Sequence, residues 1–131
     1  MGSVFDSDVV QEITDDQMWD RLVDRVPGRV MVEFFVTWCP HCQREAPILD
    51  AAAIAIRAMG VEVYHANAEV MYDKGPAYGL TETPSFILVE DGKLIAAHEG
   101  FLDERGLIAF ARDEIGQLNP PPEKGLSTTA W

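Results

Sequence analysis

The strongest pattern along the chain is a near-continuous apolar run, Val30-Met31-Val32-Glu33-Phe34-Phe35-Val36, placed after Pro27-Gly28. Such a run, rich in β-branched and aromatic residues, predicts a central strand buried on both faces. Glu33 in its middle is out of place in an apolar layer. Ahead of it, Val9 to Ile13 reads as a weak strand. Thr14-Asp15-Asp16 then offers helix-capping chemistry, and Met18, Trp19, Leu22, Val23 and Val26 follow at helical spacing up to Pro27-Gly28. From His41 to Met59 the pattern is helical and alanine-rich, with Gly60 as the stop. Pro47 lies inside this helix and removes the donor to the Gln43 carbonyl, so a kink is expected one turn in.

Val61 to Asn67 alternates as a strand does, and Lys74 to Tyr78 is at most a short helix. Ser85 to Val89 and Leu94 to His98 are two strands joined through Glu90-Asp91-Gly92-Lys93, a hairpin signal. Asp103 caps a last helix that carries Leu107, Ile108, Ala111, Ile115 and Leu118 on one face, with Gly116 and Asn119 ending it. Helices between the early strands require parallel crossovers, and the tight Asp-Gly turn requires an antiparallel pair. The predicted class is α/β, with a central mixed sheet of four to five strands and helices on both faces.

A chain of 131 residues is one domain with enough apolar content for a core. The pattern divides it into an extension over 1–8, a folded domain over 9–118, and a Pro-rich tail over 119–131. That tail is predicted to be flexible apart from a possible docking of Trp131. With 22 acidic against 10 basic residues the net charge is -12, which disfavours nucleic acid and anionic membranes as partners. It favours solubility and a monomer, with a preference for basic substrate surfaces as the sharper reading. No stretch reaches the roughly 20 apolar residues of a membrane helix. The start lacks the basic and apolar regions of a signal peptide, and Asp6 stands where a myristoylation site carries Ser or Thr. A cytoplasmic location is therefore expected. Met1-Gly2-Ser3 is also a common recombinant start, which keeps an extracytoplasmic location open for a native form whose leader was removed.

Both cysteines lie in Trp38-Cys39-Pro40-His41-Cys42, directly behind the apolar run. A loop this short cannot tie distant parts of a fold together. A zinc site wants about four ligands, and a second Cys or His pair at suitable spacing is missing. Thiol–disulfide chemistry is what remains, with no cofactor and no metal expected.

Glu33 through Cys42 resembles the strand, tryptophan and CxxC of the thioredoxin family. Ala46-Pro47-Ile48-Leu49-Asp50 is similar to its active-site helix, and Thr83-Pro84-Ser85-Phe86 to its cis-proline loop. Asp91-Gly92-Lys93 and Gly100 fit its final hairpin and the glycine after it. The resemblance covers roughly residues 9 to 118. The distance from Cys42 to Pro84 leaves no room for the helical insertion of periplasmic oxidants or the added elements of peroxiredoxins.

The resemblance implies a thiol–disulfide oxidoreductase. Cys39, at a strand-to-helix junction, is the expected nucleophile, and Cys42, one turn on, resolves the mixed disulfide. Typical thioredoxins carry Gly-Pro where this chain has Pro40-His41, the pair found in the strongly oxidising Dsb-type enzyme. His41 is expected to stabilise the Cys39 thiolate, making the protein less reducing than ordinary thioredoxin. Glu33 stands where the family has a buried Asp that accepts the second cysteine's proton, and His65 where it has a partner lysine. Trp38, Thr83, Pro84 and Gly100 are expected to line the substrate groove, with Glu99 and Phe101 beside it and His98 a plain strand residue. Thr83 replaces the usual aliphatic residue. Partners are protein disulfide or dithiol substrates and a redox partner, reductase or oxidant. The competing reading is a non-catalytic binding module or chaperone subunit using the Trp38/Pro84 groove.

Overall fold

Strand β2 (Arg29–Phe35) occupies the middle of the sheet and is buried along nearly its whole length, as its unbroken apolar sequence requires. The computed structural model describes residues 3–116, so the predictions for Leu118, Asn119, the tail and Trp131 lie outside the described residues. Around β2 the sheet has the order β1-β3-β2-β4-β5, with β1 at Gln11–Glu12, β3 at Val61–Asn67, β4 at Ser85–Glu90 and β5 at Lys93–Glu99. Strands β1, β3 and β2 run parallel, while β4 is antiparallel to both β2 and β5.

Helices α1 (Asp16–Trp19), α2 (Pro40–Ala58), α3 (Lys74–Ala77) and α4 (Glu104–Ala111) complete the fold. Alternation along β2 divides the core. Met31 packs with Leu49, Ala53, Ile56, Leu107 and Phe110 under α2 and α4. Val30, Val32 and Phe34 pack with Trp19, Val23, Met71 and Leu80 on the other face. Glu33 therefore points to the α2 face. Register places Glu12, His65, Glu33, Phe86 and His98 opposite one another across the five strands, in one row. Residues directly opposite in a ladder share a face, so the odd carboxyl of β2 lies in line with both strand histidines.

Three elements differ from the sequence expectation. The first helix becomes a π-helical turn over Asp20–Asp24, where the Arg25 N–H reaches the Asp20 carbonyl at 2.9 Å. The last helix stops at Ala111 instead of running toward Gly116. Asp113 adopts φ 62, its N–H donating to the Phe110 carbonyl and that of Glu114 to Ala109, which closes the helix in a Schellman motif. Ile115 is left outside that helix, 36% exposed. Phe5, in the predicted extension, is buried and stacks on Phe35 with centroids 4.5 Å apart. The β4–β5 turn has positive φ at both Asp91 and Gly92, the type I′ geometry that Asp-Gly favours.

Candidate active site

The end of β2 and the start of α2 set the geometry of the two thiols. Cys39 is the N-cap of α2, extended at φ -87 and ψ 119, and its Sγ accepts from the Cys42 N–H at 3.4 Å. Pro40 fills the first turn, where its missing N–H has no cost. Cys42 faces inward and has no exposed surface, whereas Cys39 keeps 9%. Both are free thiols. Helix α2 runs through Pro47 to Ala58.

The two thiols differ in acidity. Burial pushes Cys39 up, but hydrogen bonds from the Cys42 thiol and N–H, from Thr83 and from the His41 N–H outweigh it and leave the thiol below its ordinary value. Burial pushes Cys42 up to about 12, and the thiol and charge of Cys39 add to that rise. His41 is exposed, and its backbone N–H, at the start of the helix, is what reaches Cys39.

The Thr83–Pro84 bond is cis, and the Cys39 thiol lies 3.7 Å from the Thr83 carbonyl. Pro84 is buried and accepts from the Gly100 N–H at 2.8 Å. Glu99 accepts from the Thr81 N–H, the Thr81 hydroxyl and the Glu82 N–H, so its carboxylate braces the approach to this loop. Trp38 is 66% exposed and donates its indole N–H to Glu69 at 3.1 Å. The structure thus brings Trp38, Cys39, Cys42, Thr83, Pro84 and Gly100 to one end of the sheet.

Glu33 lies behind the thiols, 1% exposed, with Oε2 lacking a hydrogen-bond partner. Burial, and then the charges of Glu45, Cys39 and Asp50, hold its carboxyl well above the usual range. Glu33 and His65 lie opposite each other in the ladder, yet neither shifts the acidity of the other. His65 is buried, its ring tilted against that of Phe35 with centroids 4.7 Å apart, and burial alone pushes it down to about 4. A neutral imidazole has no charge to offer Glu33, because the aromatic contact supplies neither water nor an anion to hold a proton.

Sequence reasoning missed Glu45. It is fully buried; Oε1 accepts from the Leu102 N–H at 2.8 Å, and Oε2 has no partner. Burial pushes it up to about 7. The available signal was helical spacing. Glu45 precedes Leu49, Ala52 and Ile56 by four, seven and eleven residues, on the buried side of α2.

The thioredoxin family model matches residues 9–113. The chain is 31% identical to protein disulfide-isomerase A3 of Gallus gallus over 124 residues, which is 95% of this chain and 23% of that protein. It is 30% identical to a thioredoxin of Pseudomonas aeruginosa over 95 residues, 72% of this chain and 87% of that one. It therefore spans less than a quarter of the isomerase but most of the bacterial protein. Among solved structures, human ERp44 in its zinc-bound form aligns at TM-score 0.69 and 18% identity, over 79% of this chain and 29% of that one. A chain from a study of thiol resolution in yeast mitochondrial 1-Cys peroxiredoxin via glutathione/thioredoxin systems aligns at TM-score 0.66 and 22% identity. It covers 79% of this chain and 94% of that one. Both structural likenesses concern the fold.

Proposed function

The chain belongs to the thioredoxin family, and from that premise we propose that it is a protein thiol–disulfide oxidoreductase working through Cys39 and Cys42. The observation that carries this reading is the split between a low-lying thiol at the helix start and a buried partner near 12. An attacking sulfur must be partly thiolate and reachable, while a resolving sulfur must wait until it is called on.

Cys39 thiolate attacks a substrate disulfide, forming one S–S bond as the substrate's own breaks and its second sulfur leaves as thiolate. Cys42 then loses its proton, bonds to Cys39 Sγ, and releases the first substrate sulfur. The protein ends oxidised and the substrate reduced; the reverse sequence oxidises a dithiol. Glu33, buried on the α2-facing side of β2, is the proton acceptor for Cys42. Trp38, Thr83, Pro84 and Gly100 line the groove in which an extended substrate segment pairs with the backbone at Thr83.

A lowered Cys39 thiol stabilises the dithiol form, and with Pro40-His41 standing where typical thioredoxins carry Gly-Pro we infer a protein less reducing than ordinary thioredoxin, whose potential is roughly -270 mV. Equilibration with glutathione should give a value above that and below the about -120 mV of DsbA. A potential at or below ordinary thioredoxin contradicts the reading. In an insulin-reduction assay with dithiothreitol the protein should accelerate turbidity. An uncatalysed rate would make it a binding module.

A further inference from the structure

Thr81-Glu82-Thr83-Pro84 joins the buried Leu80 to the first residue of β4, and none of the four lies in a helix or a strand. A stretch without ladder or helical bonds takes its position from whatever reaches it from elsewhere. Two residues at the end of β5 reach it. Glu99 accepts through Oε1 from the Thr81 N–H at 2.6 Å, the Thr81 hydroxyl at 3.1 Å and the Glu82 N–H at 3.1 Å. The Gly100 N–H donates to the Pro84 carbonyl at 2.8 Å. The backbone of Glu99 is itself fixed by the ladder, opposite Ser85.

Thr83 sits between these two anchors. Its carbonyl lies 3.7 Å from Cys39 Sγ, and its N–H has no partner among the described residues. An open N–H beside the attacking sulfur is what an added strand would pair with. The bonds of Glu99 hold no part of the core, since Glu99 and Glu82 are exposed and Thr81 is half-buried. One bond in such a place contributes little. Three onto one carboxylate oxygen, from two adjoining residues, are charge-assisted and set a direction. What they set is the place of Thr83 beside Cys39.

We propose that Glu99 is a positioning residue for protein substrates: it ties Thr81 and Glu82 to the end of β5, so that the Thr83 backbone is in place beside Cys39 before a substrate arrives. The proposal rests on the reading of Cys39 and Cys42 as an exchange pair. With the tie, an extended substrate segment meets an edge that is already ordered. Without it, the loop must be ordered on binding, and the freedom lost at that moment weakens association. A small disulfide has no segment to pair with Thr83, so it draws on the thiols far more than on the loop. Glu99 therefore acts on the choice between protein and small disulfides and leaves the sulfur chemistry to Cys39 and Cys42.

The test uses Glu99→Gln, which keeps an acceptor oxygen for the loop, and Glu99→Ala, which removes it. Glu99→Met, of similar length and without an acceptor, repeats the test should Glu99→Ala fold poorly. Each protein is assayed with insulin and with hydroxyethyl disulfide, and backbone amide exchange of Thr81 and Glu82 is followed in parallel. In Glu99→Ala, KM for insulin should rise roughly tenfold, about 1.4 kcal/mol, with kcat held within about twofold. The preference for insulin over hydroxyethyl disulfide should fall by about fivefold or more, and the Thr81 and Glu82 amides should exchange faster. Glu99→Gln should recover most of the insulin KM and of the amide protection. A residue that only supported the fold would lower both activities together. Equal losses with the two disulfides, or Thr81 and Glu82 amides as protected in Glu99→Ala as in wild type, overturn the proposal. Should the wild type reduce neither disulfide, the exchange reading fails and the proposal with it; a working wild type with equal losses overturns the proposal alone.

Discussion

Replacing Glu45 with Gln should stabilise the protein at alkaline pH and leave it almost unchanged at acid pH. The carboxyl is displaced from 4.5 to about 7 by burial. At about 1.36 kcal/mol per unit this is about 3 kcal/mol held against the fold once the group is ionised. The sign follows from proton uptake. The folded carboxyl binds its proton more tightly than the unfolded one, so its contribution is most favourable below pH 4.5. It declines as pH rises, and the loss is complete once the folded group has titrated near 7. Gln keeps the acceptor for the Leu102 N–H and cannot ionise, so the variant escapes that loss. Urea unfolding of wild type and Glu45→Gln at pH 4, 6 and 8 measures it. The difference should grow from near zero at pH 4 to about 3 kcal/mol at pH 8. A difference independent of pH would refute the reasoning, as would destabilisation at pH 8.

His65 supplies the opposite trend. It is pushed from 6.5 down to about 4 by burial, so its contribution is full above pH 6.5 and is lost as pH falls toward 4, about 3 kcal/mol in all. His65→Phe should remove that acid-side loss in the same urea series, and an unchanged slope would contradict it. At the far end of the sheet, a methyl on Gly92 would collide with the Asp24 carbonyl oxygen at a φ of +81. Gly92→Ala should lower stability by about 2 kcal/mol in thermal or urea unfolding while insulin reduction by the folded protein is unaffected. Alkylation of the reduced protein at pH 7 followed by mass spectrometry should modify Cys39 and spare Cys42. With Cys42 near 12 its thiolate fraction there is about one in 100,000. Equal labelling of the two would disprove the split.

Much of the fold can be read in the residues because local and tertiary preferences agree there. Val61–Asn67 alternates and is bounded by Gly60, and Asp91-Gly92 occupies two positive-φ positions. The last helix is shorter than its pattern because Ile115 continues the apolar spacing past its end at Ala111. The Schellman closure at Asp113 depends on one non-glycine residue taking a left-handed conformation, which spacing does not reveal. The π turn was hidden for a similar reason, since its apolar positions fit either helical period closely. In the site, the CxxC and the Thr-Pro pair are short motifs that declare themselves. The state of His65 is set by an aromatic neighbour on β2 and by depth, neither visible in a linear pattern. Glu45 could have been found from the helical face alone. Its polar neighbours hide it, because an acidic residue in a stretch such as Gln43-Arg44-Glu45 reads as surface.

The central claim is the order of attack, Cys39 first and Cys42 second. Incubating Cys42→Ser with an oxidised protein substrate should accumulate a covalent complex through Cys39 that reductant dissolves, whereas Cys39→Ser should accumulate none. A complex formed by Cys39→Ser and absent from Cys42→Ser would contradict the account.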